Sequence, residues 1–132
     1  MTALDYISRQ DPARIEILSG LHTIIINTDK TVTVEVEKMM GKEMILYKTE
    51  KVMKYGLSSV KNWMSLHVMP IYGSTILHDK YKKLFGKAKF QKGCINFKNA
   101  EEMPLDIAQE LFNDCSKIDL LALIEKIRKG NS

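Results

Sequence analysis

Phe90-Gln91-Lys92-Gly93-Cys94-Ile95-Asn96-Phe97, followed shortly by Met103-Pro104-Leu105-Asp106, is the stretch on which the fold turns. Gly93 reads as a turn and Cys94–Phe97 as a short apolar strand. Pro104 opens a helix, where its missing N–H costs nothing. That helix repeats Leu105, Ala108, Leu111 and Phe112 along one face, as a buried amphipathic segment does. Downstream, Asp114–Lys117 read as a break, and Asp119 caps a last helix with Leu120, Leu123, Ile124 and Ile127 inward. Arg128 and Lys129 complement that helix's C-terminal dipole. Upstream, Ile76, Leu77, Tyr81, Leu84 and Phe85 fall at helical spacing, and Gly86 ends the run.

Further upstream the period changes from helical to alternating. In Trp63–Met69, residues Met64, Leu66 and Val68 point one way, and Trp63, Ser65, His67 and Met69 the other. Pro70 cannot donate to a ladder, so the strand stops there. Met44–Tyr47 and Val52–Leu57 read as paired strands around the polar turn Lys48–Lys51, and Ser58, Ser59, Lys61 and Asn62 form the next turn. Asp11 and Pro12 start the first long helix, whose stripe is Ile15, Leu18, His22 and Ile25; a short helix at Leu4–Ser8 precedes it. Thr31–Met40 fits two periods: Val32, Val34 and Val36 alternate, while Val32, Val36, Met39 and Met40 also share a helical face. Periodicity alone favours the strand, and Gly41 ends the segment either way. The whole predicts an α+β fold: an antiparallel sheet of four or five short strands, with helices packed on one face.

At 132 residues, with no Pro/Gly linker or repeat, the chain reads as one domain over residues 1–132, able to bury about two thirds of its unfolded surface. No apolar run approaches a membrane span, and the start Met1-Thr2-Ala3-Leu4-Asp5 has no signal-peptide character, so a cytoplasmic location is expected. Cys94 and Cys115 lie too far apart for a Cys-x-x-Cys metal motif and read as reduced, buried thiols. The net charge of +4 is unevenly placed: Lys80, Lys82, Lys83, Lys87, Lys89, Lys92 and Lys98 follow one another with no acid between. Such a run is either a solvated face or a field that attracts anions.

Ser65-Leu66-His67, Lys92-Gly93-Cys94-Ile95-Asn96-Phe97 and Pro104-Leu105-Asp106 together resemble the YdhG-like family of small bacterial domains, over about Leu4 to Asp119. The resemblance implies an α-β-α sandwich similar to frataxin, with a short helix rather than a strand at Thr31–Met40. It also implies iron chaperoning, which is described for at least one member. Frataxins hold iron on an acidic ridge along the first helix and the neighbouring strand; the corresponding helix here carries Asp11 and Glu16 beside Arg14.

No catalytic motif stands out: there is no Gly-x-Ser-x-Gly elbow, phosphate-cradling loop or paired imidazole, and an enzyme is not expected. Of the histidines, His22 reads as a core residue, and His67 shares a strand face with Trp63 and lies near Tyr72 in sequence. The expected function is a non-enzymatic binding module. Its ligand, small and anionic, or its protein partner, would meet Trp63, His67, Tyr72, Lys87, Lys89 and Lys92. The alternative is a frataxin-like iron chaperone using Glu101, Glu102, Asp106 and Glu110; otherwise no cofactor is expected. A third reading is an enzyme with Cys94 or His67 as its reactive group, testable by whether a mild thiol reagent labels Cys94. Nucleic acid is disfavoured because the basic run lacks arginine and free stacking aromatics. The methionines read as core filler, some of them lining an open face for a partner or a second subunit.

Overall fold

A capping box starts the first helix: the Thr2 hydroxyl accepts from the Asp5 N–H, and the Asp5 carboxylate accepts from the Thr2 N–H. The result is α1 (Ala3–Ser8), followed by α2 (Pro12–Thr28), which Asp11 caps through the Ala13 N–H. The structure is a computed structural model describing residues 1–39 and 41–130. The strands β1 (Thr33–Met39), β2 (Lys42–Thr49), β3 (Val52–Ser59) and β4 (Met64–Val68) come next. Two helices, α3 (Met69–Tyr72) and α4 (Thr75–Leu84), lead to the hairpin of β5 (Lys89–Gln91) and β6 (Cys94–Phe97). After a 3-10 turn at Ala100–Glu102, α5 (Leu105–Ser116) and α6 (Leu120–Gly130) finish the order.

The six strands form one antiparallel sheet in the order β1-β2-β3-β4-β6-β5. Its register makes two rows that cross every strand. Val36, Ile45, Leu57, Leu66, Ile95 and Phe90 stand opposite one another in turn. They pack with Ile7, Leu18, Leu21, Ile25, Leu111 and Phe112 from the helices into one core. One residue along each strand lies the second row: Glu35, Leu46, Gly56, His67, Cys94 and Gln91. Because side chains alternate, this row occupies the other face, and none of it belongs to that core.

A polar cluster locks one end of the core. The register shift after Tyr47 leaves Lys54 without a partner in β2, and this bulge lets its ammonium reach Asp29 Oδ2 at 2.8 Å. Tyr55 OH donates to the same oxygen at 2.7 Å, the Thr31 N–H donates to Asp29 Oδ1 at 3.0 Å, and Lys54 also donates to Ile118 O at 2.9 Å. Burial opposes ionisation of Asp29, but the hydrogen bonds from Lys54, Thr31 and Tyr55 outweigh it and hold the carboxyl below its usual range. The end of α2, the start of β3 and the α5–α6 link are thereby joined.

Several sequence expectations change. The helix that the family resemblance implies at Thr31–Met40 is strand β1 over Thr33–Met39; Met40 lies outside the described residues. Pairing decides it: Val34 and Val36 sit opposite Tyr47 and Ile45, while Lys48 reaches Glu35 at 2.9 Å and Glu37 at 2.5 Å. The sheet has six strands rather than four or five, because β5 adds a three-residue edge with a single apolar side chain. Met69 starts α3 instead of ending β4, with Pro70 in the first helical turn. No break falls at Asp114: α5 runs on to Ser116, and its Asp114 accepts from Lys80 and Tyr81 OH while Cys115 is buried. In α4 only Tyr81 is buried, whereas Ile76 is 82% and Leu84 41% exposed. Asp119 does cap the last helix, through the Ala122 N–H at 3.1 Å. Leu123 and Ile127 of α6 lie where a side chain at Gly73 would stand.

Candidate anion-binding face

The second face becomes chemically distinctive where β4, β6 and β5 meet. The turn between β5 and β6 has only Lys92 and Gly93, with Lys92 in the left-handed region at φ 54. A side chain at Gly93 would meet Tyr72 Cβ at 3.0 Å and Val68 O at 3.2 Å, so glycine lets α3 lie close over the turn. That closeness sets Tyr72 beside the entrance to β6. At Gly56, Met44 Cε and Met53 Sδ fill the space a side chain would occupy, next to His67 Cβ. Met44, Met53 and His67 thus surround the space over Gly56.

Register then makes two polar pairs. His67 stands opposite Cys94, with Nδ1 and Sγ 2.9 Å apart. Ser65 stands opposite Asn96 and its hydroxyl donates to Oδ1 at 2.6 Å. Ser65 and Asn96 are buried, while His67 and Cys94 are partly exposed. Burial pushes the His67 imidazole down from its ordinary value and the Cys94 thiol up. Both directions favour the neutral pair, in which S–H donates to an unprotonated Nδ1 and the ring proton sits on Nε2.

Two donors are left over. Among the described residues, neither His67 Nε2 nor Asn96 Nδ2 has a hydrogen-bond partner, and both reach solvent. From the edge strand, Gln91 faces Cys94 and Lys89 faces Asn96; both are exposed. No residue of β4, β5 or β6 is a carboxylate. On the helix-covered side of the β5–β6 turn, Ile71, Tyr72, Thr75, His78 and Lys92 line a separate hollow of about 230 Å³. Its His78 ring packs edge-on against Phe90 at 5.7 Å.

The expected ligand residues divide accordingly. His67 and Lys89 share the face, whereas Tyr72 and Lys92 meet in the hollow on the helix-covered side, where His78 packs on Phe90 of the first row. Trp63 does not join them. It stands in the turn before β4, where its carbonyl accepts from the Val60 N–H, and it lies roughly 13 Å along the chain from His67. Lys87 is taken up in an ion pair with Glu101. Neither do the carboxylates named for iron converge. Glu102 accepts from the Lys98 N–H, Glu110 pairs with Lys80 at 3.1 Å, and Asp106 accepts from the Ile107 N–H. Among the described residues no three His, Cys, Asp or Glu side chains could hold a metal ion.

His22 is the core residue expected, 7% exposed, with Nδ1 2.7 Å from Tyr47 OH. The Ser65–Asn96 pair and Gln91 were not anticipated. The signal for them was the alternation in each strand, which becomes a site only once β6 is known to lie beside β4. No helix among the described residues is long and apolar enough to cross a membrane. Comparison with protein-family models, curated proteins and solved structures gives no match for this chain, so a functional reading rests on the chemistry of the face itself.

Proposed function

We propose that this domain is a non-enzymatic binding module for a small anionic ligand. The ligand would lie on the β4–β6–β5 face, with Lys89, His67 Nε2 and Asn96 Nδ2 supplying charge and hydrogen bonds. Lys92, in the turn between β5 and β6, would stand at its edge. One observation carries the reading: unpaired donors gather where three strands contribute no carboxylate. A carboxylate or phosphate oxygen complements two N–H donors and an ammonium, and charge-assisted hydrogen bonds are the stronger kind. The lysines are exposed, so binding should be weak and salt-sensitive. A cytoplasmic setting belongs to the same proposal, supported by two unbridged thiols. So does kinship with YdhG-like domains, supported by the antiparallel sheet with helical packing and opposed by the strand at Thr33–Met39.

Calorimetric titration with inorganic phosphate, citrate and a nucleoside monophosphate tests the reading, at roughly 10 mM and 150 mM ionic strength. At least one anion should bind at low salt. The double variant Lys89→Gln/Lys92→Gln should lose about tenfold or more in affinity, and Lys87→Gln should lose little. Equal losses in both variants, or no heat with any anion, would argue instead for a protein partner.

A further inference from the structure

The two thiols of this chain have different surroundings. Cys115 is 0% exposed within the core, where burial pushes its thiol up to about 12. Cys94 is partly exposed and hydrogen-bonded to an imidazole. We propose that Cys94 forms a mixed disulfide with an anionic low-molecular-weight disulfide, with His67 as the base that takes its proton. The choice of an anionic disulfide rests on the anion-binding reading above; the thiol chemistry does not.

Three features converge on the sulfur. His67 Nδ1 lies 2.9 Å from Sγ, within reach for direct proton transfer. Burial keeps the ring unprotonated near neutral pH, so it can accept that proton. Asn96, 8% exposed, turns an unpartnered amide N–H₂ to solvent on the same face, and Lys89 lies opposite it. The groups facing His67 are few: Gly56 with Met44 and Met53 from the β2–β3 side, Cys94 from β6, and Gln91 beyond it. Lys54 of β3 is committed to Asp29. Lys89 of β5 brings a positive charge to this face, and Lys92 stands in the adjoining turn.

The step balances without an outside oxidant beyond the disulfide itself. The Cys94 S–H proton passes to Nδ1 as Sγ attacks one sulfur of the incoming disulfide. A new S–S bond forms to Cys94, the old S–S bond breaks, and the departing thiolate takes the proton from the imidazolium. Cys94 is oxidised to the mixed disulfide, and half of the small disulfide leaves reduced as its thiol. An excess of small thiol reverses the exchange.

The reduced full chain can be mixed separately with oxidised glutathione (anionic), bis(2-hydroxyethyl) disulfide (neutral) and cystamine (cationic), with adducts followed by intact mass and peptide mapping. Adducts should form at Cys94 and not Cys115, fastest with the anionic disulfide and slowest with the cationic one. His67→Gln should slow all three by about tenfold or more. Lys89→Gln/Lys92→Gln should abolish the charge ranking, so that the anionic disulfide loses its advantage over the neutral and cationic ones. Overturning results are an unmodified Cys94, a rate no greater than that of a free peptide spanning Lys92–Phe97, or an undiminished rate in His67→Gln. Reaction without charge ranking but dependent on His67 would support the thiol pair and remove the anion-binding reading. If His67→Gln does not fold, the wild-type pH profile decides. A rate nearly flat from about pH 6.5 to 8.5 supports proton transfer within the pair, and a rise of about tenfold per pH unit, as for an unassisted thiol, contradicts it.

Discussion

Moving one residue along each strand changes Val36, Ile45, Leu57, Leu66, Ile95 and Phe90 into Glu35, Leu46, Gly56, His67, Cys94 and Gln91. The same register and the same six strands thus carry a packing surface on one side and, on the other, a row that is buried at Leu46 and Gly56 but polar and partly solvated from His67 to Gln91. The difference teaches that strand parity alone separates the residues that hold this fold from those free to do chemistry. Polarity does not make that separation. The Asp29–Lys54–Tyr55 cluster is polar too, but every one of its groups is satisfied within the protein, so it serves stability. His67 and Asn96 each retain a donor that nothing in the described chain uses.

The sharpest way to break the comparison is to remove one half of the satisfied cluster. Asp29→Ala strands the buried Lys54 charge and should cost about 3–5 kcal/mol in urea unfolding. The Asp29 carboxyl titrates below its usual range in the folded state, so its stabilisation is complete above the unfolded value near 3.8 and is lost as pH falls through the lower folded value. Wild type should therefore lose stability on acidification below about pH 4 more steeply than Asp29→Asn does.

Leu66→Ala empties a position in the middle of the packing row and should cost about 2–5 kcal/mol. Its neighbour one step along provides the contrast: His67→Gln or Cys94→Ser should cost less than about 1 kcal/mol, because each group is partly solvated and outside the core. Chemical denaturation of the three variants side by side checks this. A His67→Gln loss as large as that of Leu66→Ala would erase the distinction between the faces. The smallest effect belongs to Trp63→Phe, which should leave anion affinity within about twofold of wild type because the ring stands well away from His67.

How far the sequence foretold this architecture depends on the range of the interactions. Local signals were reliable where one element decides its own state: the Asp11-Pro12 start of α2, the Met64, Leu66, Val68 alternation of β4, and the Asp119 cap of α6 all reappear. Thr33–Met39 shows why periodicity should prevail over a family pattern there, since its Val–Glu alternation meets Tyr47, Ile45 and Lys48 across the ladder. β5 was illegible because Lys89-Phe90-Gln91 is too short to carry a period. The candidate site was half legible. His67, Lys89 and Lys92 could be named from residue type and position, yet Trp63, Tyr72 and Lys87 were grouped with them only by proximity in sequence. The His67–Cys94 contact depends on β6 lying between β4 and β5, a long-range outcome that no local pattern encodes.

The most direct measurement is the NMR signal of the Asn96 side-chain amide during titration of ¹⁵N-labelled protein with inorganic phosphate and oxidised glutathione, the latter with Cys94→Ser so that only non-covalent binding is seen. The account predicts that the Asn96 N–H₂ pair and the Lys89 and His67 amides shift together and saturate on a single curve, while Trp63 and the amides of α2 stay still. Stationary Asn96 side-chain signals, with shifts scattered over Lys82, Lys83 and the other surface lysines, would contradict it.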